Sequence, residues 1–250
     1  TNLPDDNHRR DVAKALGQIG DPSAVDALVA GIDFTAGTSN EPRDKNANRT
    51  NEEIASALGK LRDKKAVPKL VELMGKSREN YVVLKSIRAL GELGDASAVP
   101  ELSKLALGHD DKFMRKNAVI ALGDIGDPSA TDALVQMMFV EYLGVSFYRE
   151  ASLALFQIGP SVAQALIDTM AGKNAAVNQY FEKTGWLKET AIKAKCGFVL
   201  GDLRDARAVD PLLEAFKGAV EKNDPVVLVY SSAPLAVLGP RAAEITALAL

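Results

Sequence analysis

The side chains with the strongest chemistry in this chain are two histidines and one cysteine, and none of them belongs to a catalytic pattern. His8 follows two aspartates and an asparagine, and His109 precedes two aspartates, so each cluster could offer nitrogen and oxygen atoms to a metal ion. Both clusters lie at segment ends, where solvated polar residues are common, and neither has a nucleophile at a usable spacing. Cys196 stands alone in an apolar run, which is typical of a small buried thiol. We therefore expect no catalytic centre, no bound metal and no cofactor.

The aromatic residues suggest binding rather than catalysis, because they cluster in two segments of the second half of the chain. The candidate partner-binding residues there are Phe139, Tyr142, Phe147, Tyr148, Tyr180 and Trp186. Exposed aromatic side chains at an edge suit a protein partner. Aromatic residues are also often buried, so a local hydrophobic mini-core within each segment is the alternative interpretation.

Acidic residues recur at equivalent positions along the chain and form a second candidate surface. They are Asp26, Glu72, Glu101, Asp132, Asp210 and Glu214. Acids in the first turn of a helix favour its dipole, and this explains Asp26, Asp132 and Asp210. It does not explain Glu72 or Glu214, so the pattern predicts a basic segment of a protein partner.

Bulk composition limits the classes of partner. The chain has 250 residues and a formal net charge of −3, and nucleic-acid binders need a basic stripe instead. No apolar run approaches the ~20 residues of a membrane-spanning helix. The chain starts at Thr1 and stops at Leu250 inside an apolar helical pattern, so we expect both ends to be cuts. The compartment, cytoplasm or cell envelope, stays open.

A recurring ten-residue phrase defines the elements that position these residues. Residues 15–24 read Ala-Leu-Gly-Gln-Ile-Gly-Asp-Pro-Ser-Ala, and residues 121–130 read Ala-Leu-Gly-Asp-Ile-Gly-Asp-Pro-Ser-Ala. Diverged copies occupy residues 57–66, 89–98 and 199–208. Such a fixed period is the signature of a repeat architecture.

Each copy predicts a first helix, a tight turn and a second helix. An apolar stripe at helical spacing precedes the phrase, and a glycine then stands where a left-handed cap is favoured. The following aspartate is a predicted N-cap, and Pro22 and Pro128 suit the first helical turn. Phe156 replaces the central glycine in one copy, and Arg62 and Arg204 replace the turn glycine in two others.

The phrase Ala-Leu-Gly-x-Ile-Gly-Asp-Pro-x-Ala resembles the short HEAT-type repeat of bacterial and cyanobacterial proteins, including the PBS-lyase HEAT-like repeats. The resemblance implies an all-α fold, a right-handed α-solenoid of about seven helical pairs. In that family the second helices line the concave side, and the fold serves mostly to bind proteins. We expect one solenoid over residues 1–250, with edge insertions at about 33–51, 139–148 and 174–186.

The polar 33–51 segment has no helical periodicity, so it is predicted to be a mobile loop. The predicted function is a non-catalytic protein-interaction scaffold or adaptor. The alternative is a HEAT-like module of an enzyme system, such as a bilin-lyase or chaperone subunit. In that alternative the aromatic segments would hold a tetrapyrrole, and Arg149 or Lys188 would pair with its carboxylates.

Overall fold

The computed structural model describes residues 6–185 and 188–238, except for the side chains of residues 6 and 7. Within these ranges the chain forms fourteen α-helices and one two-stranded hairpin. It divides into two compact units, of which unit 1 ends at Ala130 and unit 2 begins at Thr131. None of the helices in the described ranges is both long and apolar enough to cross a bilayer.

Unit 1 consists of seven helices in which longer first helices alternate with second helices. They are α1 (Asp6–Ile19), α2 (Val25–Ala30), α3 (Pro42–Leu61), α4 (Val67–Lys76), α5 (Asn80–Leu93), α6 (Val99–Gly108) and α7 (Lys112–Ile125). A short 3₁₀ turn joins each first helix to its second helix, and each second helix packs against the next first helix. The predicted helix, turn, helix order is confirmed in this unit.

Unit 2 contains the same alternation, and it has two additions, a hairpin and an extra helix. Its helices are α8 (Thr131–Met137), α9 (Tyr148–Ile158), α10 (Ala163–Met170), α11 (Ala175–Thr184), α12 (Glu189–Leu203), α13 (Val209–Lys222) and α14 (Pro225–Leu238). Its first helices are α9, α12 and α14. A hairpin of β1 (Glu141–Tyr142) and β2 (Val145–Ser146) joins α8 to α9, with Glu141 opposite Ser146. The extra helix α11 lies within the predicted 174–186 insertion.

The turn chemistry agrees with the sequence prediction. An aspartate follows every first helix that has a 3₁₀ turn after it, except α9, which is followed by Gly159. The carboxylate of this aspartate accepts a hydrogen bond from the backbone N–H two residues later, at 2.9 Å for Asp21 and 3.0 Å for Asp63. Arg62 and Arg204, which replace the turn glycine, still adopt the left-handed conformation, with φ of 53° and 52°. A side chain with a Cβ is disfavoured there, so the surrounding packing imposes this turn.

In unit 1 the first helices approach one another very closely at Gly17, Gly59 and Gly91, the central glycines of three phrases. We call these positions the register glycines, and Gly123 and Gly201 hold the equivalent positions in α7 and α12. A methyl group added at Gly59 would lie 2.9 Å from Ala89 Cα, so only glycine permits this spacing. The second helices of unit 1 do not pack together in this way. A stack bends toward its tighter layer, so within unit 1 the first helices line the inner side, and the prediction for the second helices is wrong there.

The predicted core residues are all buried. They are Val67, Leu70, Leu90, Val99, Leu102, Leu122 and Leu134. Their side chains come from both first and second helices, which matches the assignment of apolar stripes to the helical pairs.

The prediction of a mobile loop over residues 33–51 is wrong for its second half, because α3 begins at Pro42. Polar side chains of this helix are buried and bind the preceding loop. Asn48 Nδ2 donates to Gly37 O at 2.7 Å, and Asn51 both donates to Asp33 O and accepts from Asp33 N. The polar composition therefore anchors the loop to the helix.

Candidate functional site

The aromatic segment 139–148 is a local core rather than a display surface. Phe139 and Phe147 are 1% and 0% exposed, so the prediction that they form a docking surface is wrong. These two residues flank the hairpin, and the neighbouring Met137 and Met138 are buried as well. Burial removes the apolar surface from water, and this favours the mini-core interpretation for this segment.

Tyr148 and Tyr142 are half-buried, and a lysine from α12 covers Tyr148. Lys195 Nζ lies 5.0 Å from the centroid of the Tyr148 ring and 5.5 Å from that of Phe139, and it donates to Met138 O at 3.0 Å. This contact fastens the hairpin region to α12 through cation–π attraction. Burial lowers the pKa of Lys195 and raises the pKa of Tyr148 to about 12.

In the second aromatic segment, residues 174–186, the structure gives Tyr180 a role within the fold. Tyr180 is half-buried on α11, and its hydroxyl accepts a hydrogen bond from Glu141 N at 3.2 Å. Its phenol therefore connects α11 to the hairpin. Trp186 lies outside the described residues. Tyr142, Tyr148 and Tyr180 stay candidate partner-binding residues only through their exposed edges.

The acidic candidates lie on the surface, but several are ion-paired. Asp26, Glu101, Asp132, Asp210 and Glu214 are exposed, while Glu72 is half-buried. Glu72 lies 2.7 Å from both Lys69 and Lys76, and hydrogen bonds from these lysines lower its pKa. Glu101 and Glu214 each have a lysine three residues later, at 3.8 and 3.4 Å. Nearby lysines thus neutralise part of the predicted acidic surface.

Unit 2 also has an exposed apolar groove, which sequence reasoning did not predict. It has a volume of about 820 Å³ and lies between α9, α12 and α14. We call it the α9–α12 groove. Its lining residues are Ser152, Leu153, Phe156, Phe198, Gly201, Asp202, Leu203, Arg204, Ala233, Pro234 and Val237. Leu153, Phe156, Phe198 and Val237 are 46–58% exposed, so large apolar side chains here face water.

We attribute the groove to Phe156, which stands where α1, α3, α5, α7 and α12 have a register glycine. At Gly201 the next first helix approaches so closely that an added methyl group would lie 2.7 Å from Pro234 Cβ. At Phe156 the register position carries a half-exposed benzyl group, and α9 touches α12 over a much shorter stretch than α12 touches α14. The substitution was visible in the sequence, but the groove that it opens depends on the spacing of helices more than thirty residues apart.

Two opposite charges flank the apolar wall. Asp202 and Arg204 are both exposed, and neither makes an ion pair in the part of the chain that the structure describes. Arg204 occupies the left-handed turn after α12 and lines the groove. The groove thus combines apolar and aromatic walls with a carboxylate and a guanidinium, as ligand sites commonly do. Arg149 and Lys188, named above for a tetrapyrrole, do not line it.

Cys196 and His109, two of the three side chains with the strongest chemistry, take part in the packing and turns of the fold. Cys196 is fully buried, and this burial raises the pKa of its thiol far above the ordinary value. His109 Nδ1 accepts a hydrogen bond from Asp111 N at 2.9 Å, which stabilises the turn before α7. Among the described residues no group of three or more His, Cys, Asp or Glu side chains is placed to hold a metal ion.

This alternation of helical pairs has a recognised counterpart. The chain matches the family of HEAT repeats over residues 76–140, and the family of PBS lyase HEAT-like repeats over residues 9–34, 52–76 and 192–218. The chain is a HEAT-repeat protein, and its repeats include the PBS lyase HEAT-like type. The predicted family and the predicted all-α solenoid class are confirmed. No curated protein matches the chain significantly.

Solved structures with the same fold include the complex of CpcE and CpcF of phycocyanin lyase from Nostoc sp. PCC7120. That match has 22% sequence identity and a TM-score of 0.50, and it covers 99% of this chain and 90% of the other. A second match, to human deoxyhypusine hydroxylase in complex with glycerol, has 18% identity and a TM-score of 0.34 over 92% of this chain and 96% of the other. The first likeness shows the fold.

Proposed function

We propose that this chain is a non-catalytic HEAT-repeat subunit that binds a protein partner through the α9–α12 groove. The observation that carries the proposal is a set of large apolar side chains that are exposed to water, those of Leu153, Phe156, Phe198 and Val237. Contiguous exposed apolar surface is a cost that a monomer usually avoids, and it commonly marks an interaction site. The structurally similar CpcE and CpcF form a complex of two subunits, which supports a partner for this chain.

Capture of a partner from a lysate of the source cells tests this proposal. The double variant Phe156→Ser, Phe198→Ser removes two apolar anchors that are already half in water, so it should fold normally and lose the partner. The matched control is Tyr81→Ser, Phe113→Ser, because these aromatic side chains in unit 1 are both 64% exposed. The control should retain the partner. Equal capture by both double variants, or no partner for the native chain, would contradict the proposal.

The alternative function, a bilin-lyase or chaperone subunit, uses the same groove for a pigment. Two observations favour it: the PBS lyase HEAT-like repeats and the chemistry of the groove wall. A linear tetrapyrrole is flat and carries carboxylates that Arg204 could bind, and its N–H groups could donate hydrogen bonds to the Asp202 carboxylate. Phe156 and Phe198 supply aromatic faces for stacking.

Absorbance titration with free phycocyanobilin separates the two functions. A pigment-holding subunit should give a saturable spectral shift that Arg204→Ala weakens and Phe198→Ser abolishes. Arg149→Ala is the matched control, because this exposed arginine does not line the groove. If the protein is only a protein-binding scaffold, neither the native chain nor any of these variants should give a saturable spectral shift.

A further inference from the structure

The exposed residues of the groove occupy one repeated position of the first helices. Leu153 and Phe198 each lie three residues before the register position, which is held by Phe156 and Gly201. Both side chains are exposed, Leu153 to 58% and Phe198 to 46%. Val237 and Ala233 on α14 extend this apolar surface beyond α12. The result is an apolar row that runs across three consecutive first helices.

The same position is polar in most of unit 1. There, Lys14, Ser56 and Arg88 lie three residues before Gly17, Gly59 and Gly91. A solenoid that needed only solubility would keep such residues throughout. The change to apolar residues begins at Ile120, three residues before Gly123 and 40% exposed, and it continues at Leu153 and Phe198 in unit 2. The groove lies where this apolar position coincides with the replacement of the register glycine by Phe156.

The geometry points to one occupant: an amphipathic α-helix of a protein partner, lying across α9, α12 and α14. Neighbouring packed helices are about 8–10 Å apart. Residues seven apart on an α-helix are separated by about 10.5 Å along its axis. An apolar ridge with this period would therefore place one large side chain between α9 and α12 and the next between α12 and α14, as in other helix-in-groove interfaces.

The rim charges set the flanks of that helix. Asp202 is an exposed carboxylate beside the row, and Arg204 is an exposed guanidinium two residues later. Because neither has an ion-pair partner among the described residues, each can bind an opposite charge on the incoming helix. The partner helix should carry a lysine or arginine on the side that meets Asp202 and a glutamate or aspartate on the side that meets Arg204.

This inference rests on the proposed partner-binding function and gives the partner its chemistry. The test begins with the captured complex and a photo-crosslinking benzoylphenylalanine in place of Leu153. The same group in place of Phe113 is the control, because that side chain is equally accessible and lies in unit 1. Crosslinks from position 153 should map to a segment of the partner with apolar residues at three- and four-residue spacing. A synthetic peptide of that segment should gain helical circular dichroism on binding.

Variants then test the groove itself with this peptide. Phe156→Gly restores the register glycine and lets α9 approach α12, so peptide binding should weaken at least tenfold. Asp202→Lys should weaken binding at low salt, and a peptide with the facing cation changed to glutamate should restore it. Tyr81→Ala is the control and should leave binding unchanged.

Several results would overturn the helix proposal. They are crosslinks that fall in an extended or polar segment, crosslinks to a second copy of this chain, and binding that Phe156→Gly does not alter. Competition between the peptide and phycocyanobilin, with tighter binding of the pigment, would assign the groove to the pigment. If groove variants lose the partner but the crosslinks fall in an extended or polar segment, the partner-binding function of the groove stands and only the helix is refuted. If every groove variant still captures the partner, both the groove function and the groove helix are refuted. If the native chain captures nothing, both fail.

Discussion

Gly59 of α3 faces Ala89 of α5 so closely that the spacing of first helices in unit 1 depends on a missing methyl group. A Cβ at position 59 would lie 2.9 Å from Ala89 Cα and 3.1 Å from Ala89 Cβ. The nearest atom, Glu92 Oε2 at 2.5 Å, ends a flexible side chain and can move aside, but Ala89 Cα is a backbone atom, so side-chain rotation cannot relieve that contact. Gly59→Ala must push α3 and α5 apart or displace their backbones.

Two opposing effects determine the size of this change. Alanine is favoured over glycine within a helix by about 0.8–1 kcal/mol. Overpacking of a close contact costs about 1–3 kcal/mol, and here helix propensity offsets only part of that cost. We expect a net loss of about 1 kcal/mol in the free energy of unfolding, measured by urea denaturation at constant slope.

Gly75 in α4 is the matched control, because an added methyl group there meets nothing within 4 Å. Gly75→Ala should therefore stabilise the protein by about 0.5–1 kcal/mol. The double variant Gly59→Ala, Ala89→Gly returns a small residue to the contact and should recover part of the loss. If Gly59→Ala stabilises as much as Gly75→Ala does, glycine does not set the helix spacing, and the explanation of the groove at Phe156 loses its basis.

Three further predictions follow from buried or anchored side chains. Leu102→Asp places an unpaired carboxylate in the core of unit 1 and should cost several kcal/mol, on the order of 3–5, in thermal or urea unfolding. Tyr148→Phe should change alkaline unfolding. Burial raises the pKa of Tyr148 from 10.0 to about 12. The contribution of its protonated phenol to the free energy of unfolding is therefore fully present below pH 10 and is lost as the pH rises toward 12. Asp44→Asn should speed subtilisin cleavage within residues 35–41 several-fold, because Asp44 accepts a hydrogen bond from Ser39 Oγ at 2.6 Å and anchors this loop.

Each of these predictions has a control. Lys104→Ala lies on the exposed face of the helix that carries Leu102, and it should change stability by no more than about 0.5 kcal/mol. For Tyr148, the unfolding free energy of the native chain should fall relative to that of Tyr148→Phe between pH 10 and 12, and parallel curves would refute the linkage. For Asp44, first cleavage inside α3 would contradict the anchoring of the loop.

The repeat organisation was predictable because the interactions that define it are local. The N-cap carboxylate of Asp95 binds an N–H only two residues away, and Gly94 ends its helix with a φ of 62°. Such contacts within a few residues leave the same pattern in every copy. Apolar periodicity likewise assigned the buried faces of the helices, as Leu70 and Leu122 show.

Two segments were harder to interpret because their partners lie elsewhere in the chain. The polar residues of α3 look like loop residues until Asn48 and Asn51 are seen to bind the backbone of Gly37 and Asp33. Likewise, aromatic composition alone did not distinguish display from burial for Phe139. Its position beneath Lys195, which comes from α12, settled that question.

The sequence by itself determined the helical pairs, their caps and the absence of glycine at Phe156. Only the tertiary structure decided what Phe156 does. A glycine at the register position lets consecutive first helices meet, whereas at Phe156 the contact between α9 and α12 is much shorter and Phe198 is left half exposed. The distance between two helices depends on the side chains of both, and those of α9 and α12 are separated by an inserted helix in the chain. Local spacing therefore predicts the repeat, while the packing of distant residues creates the groove.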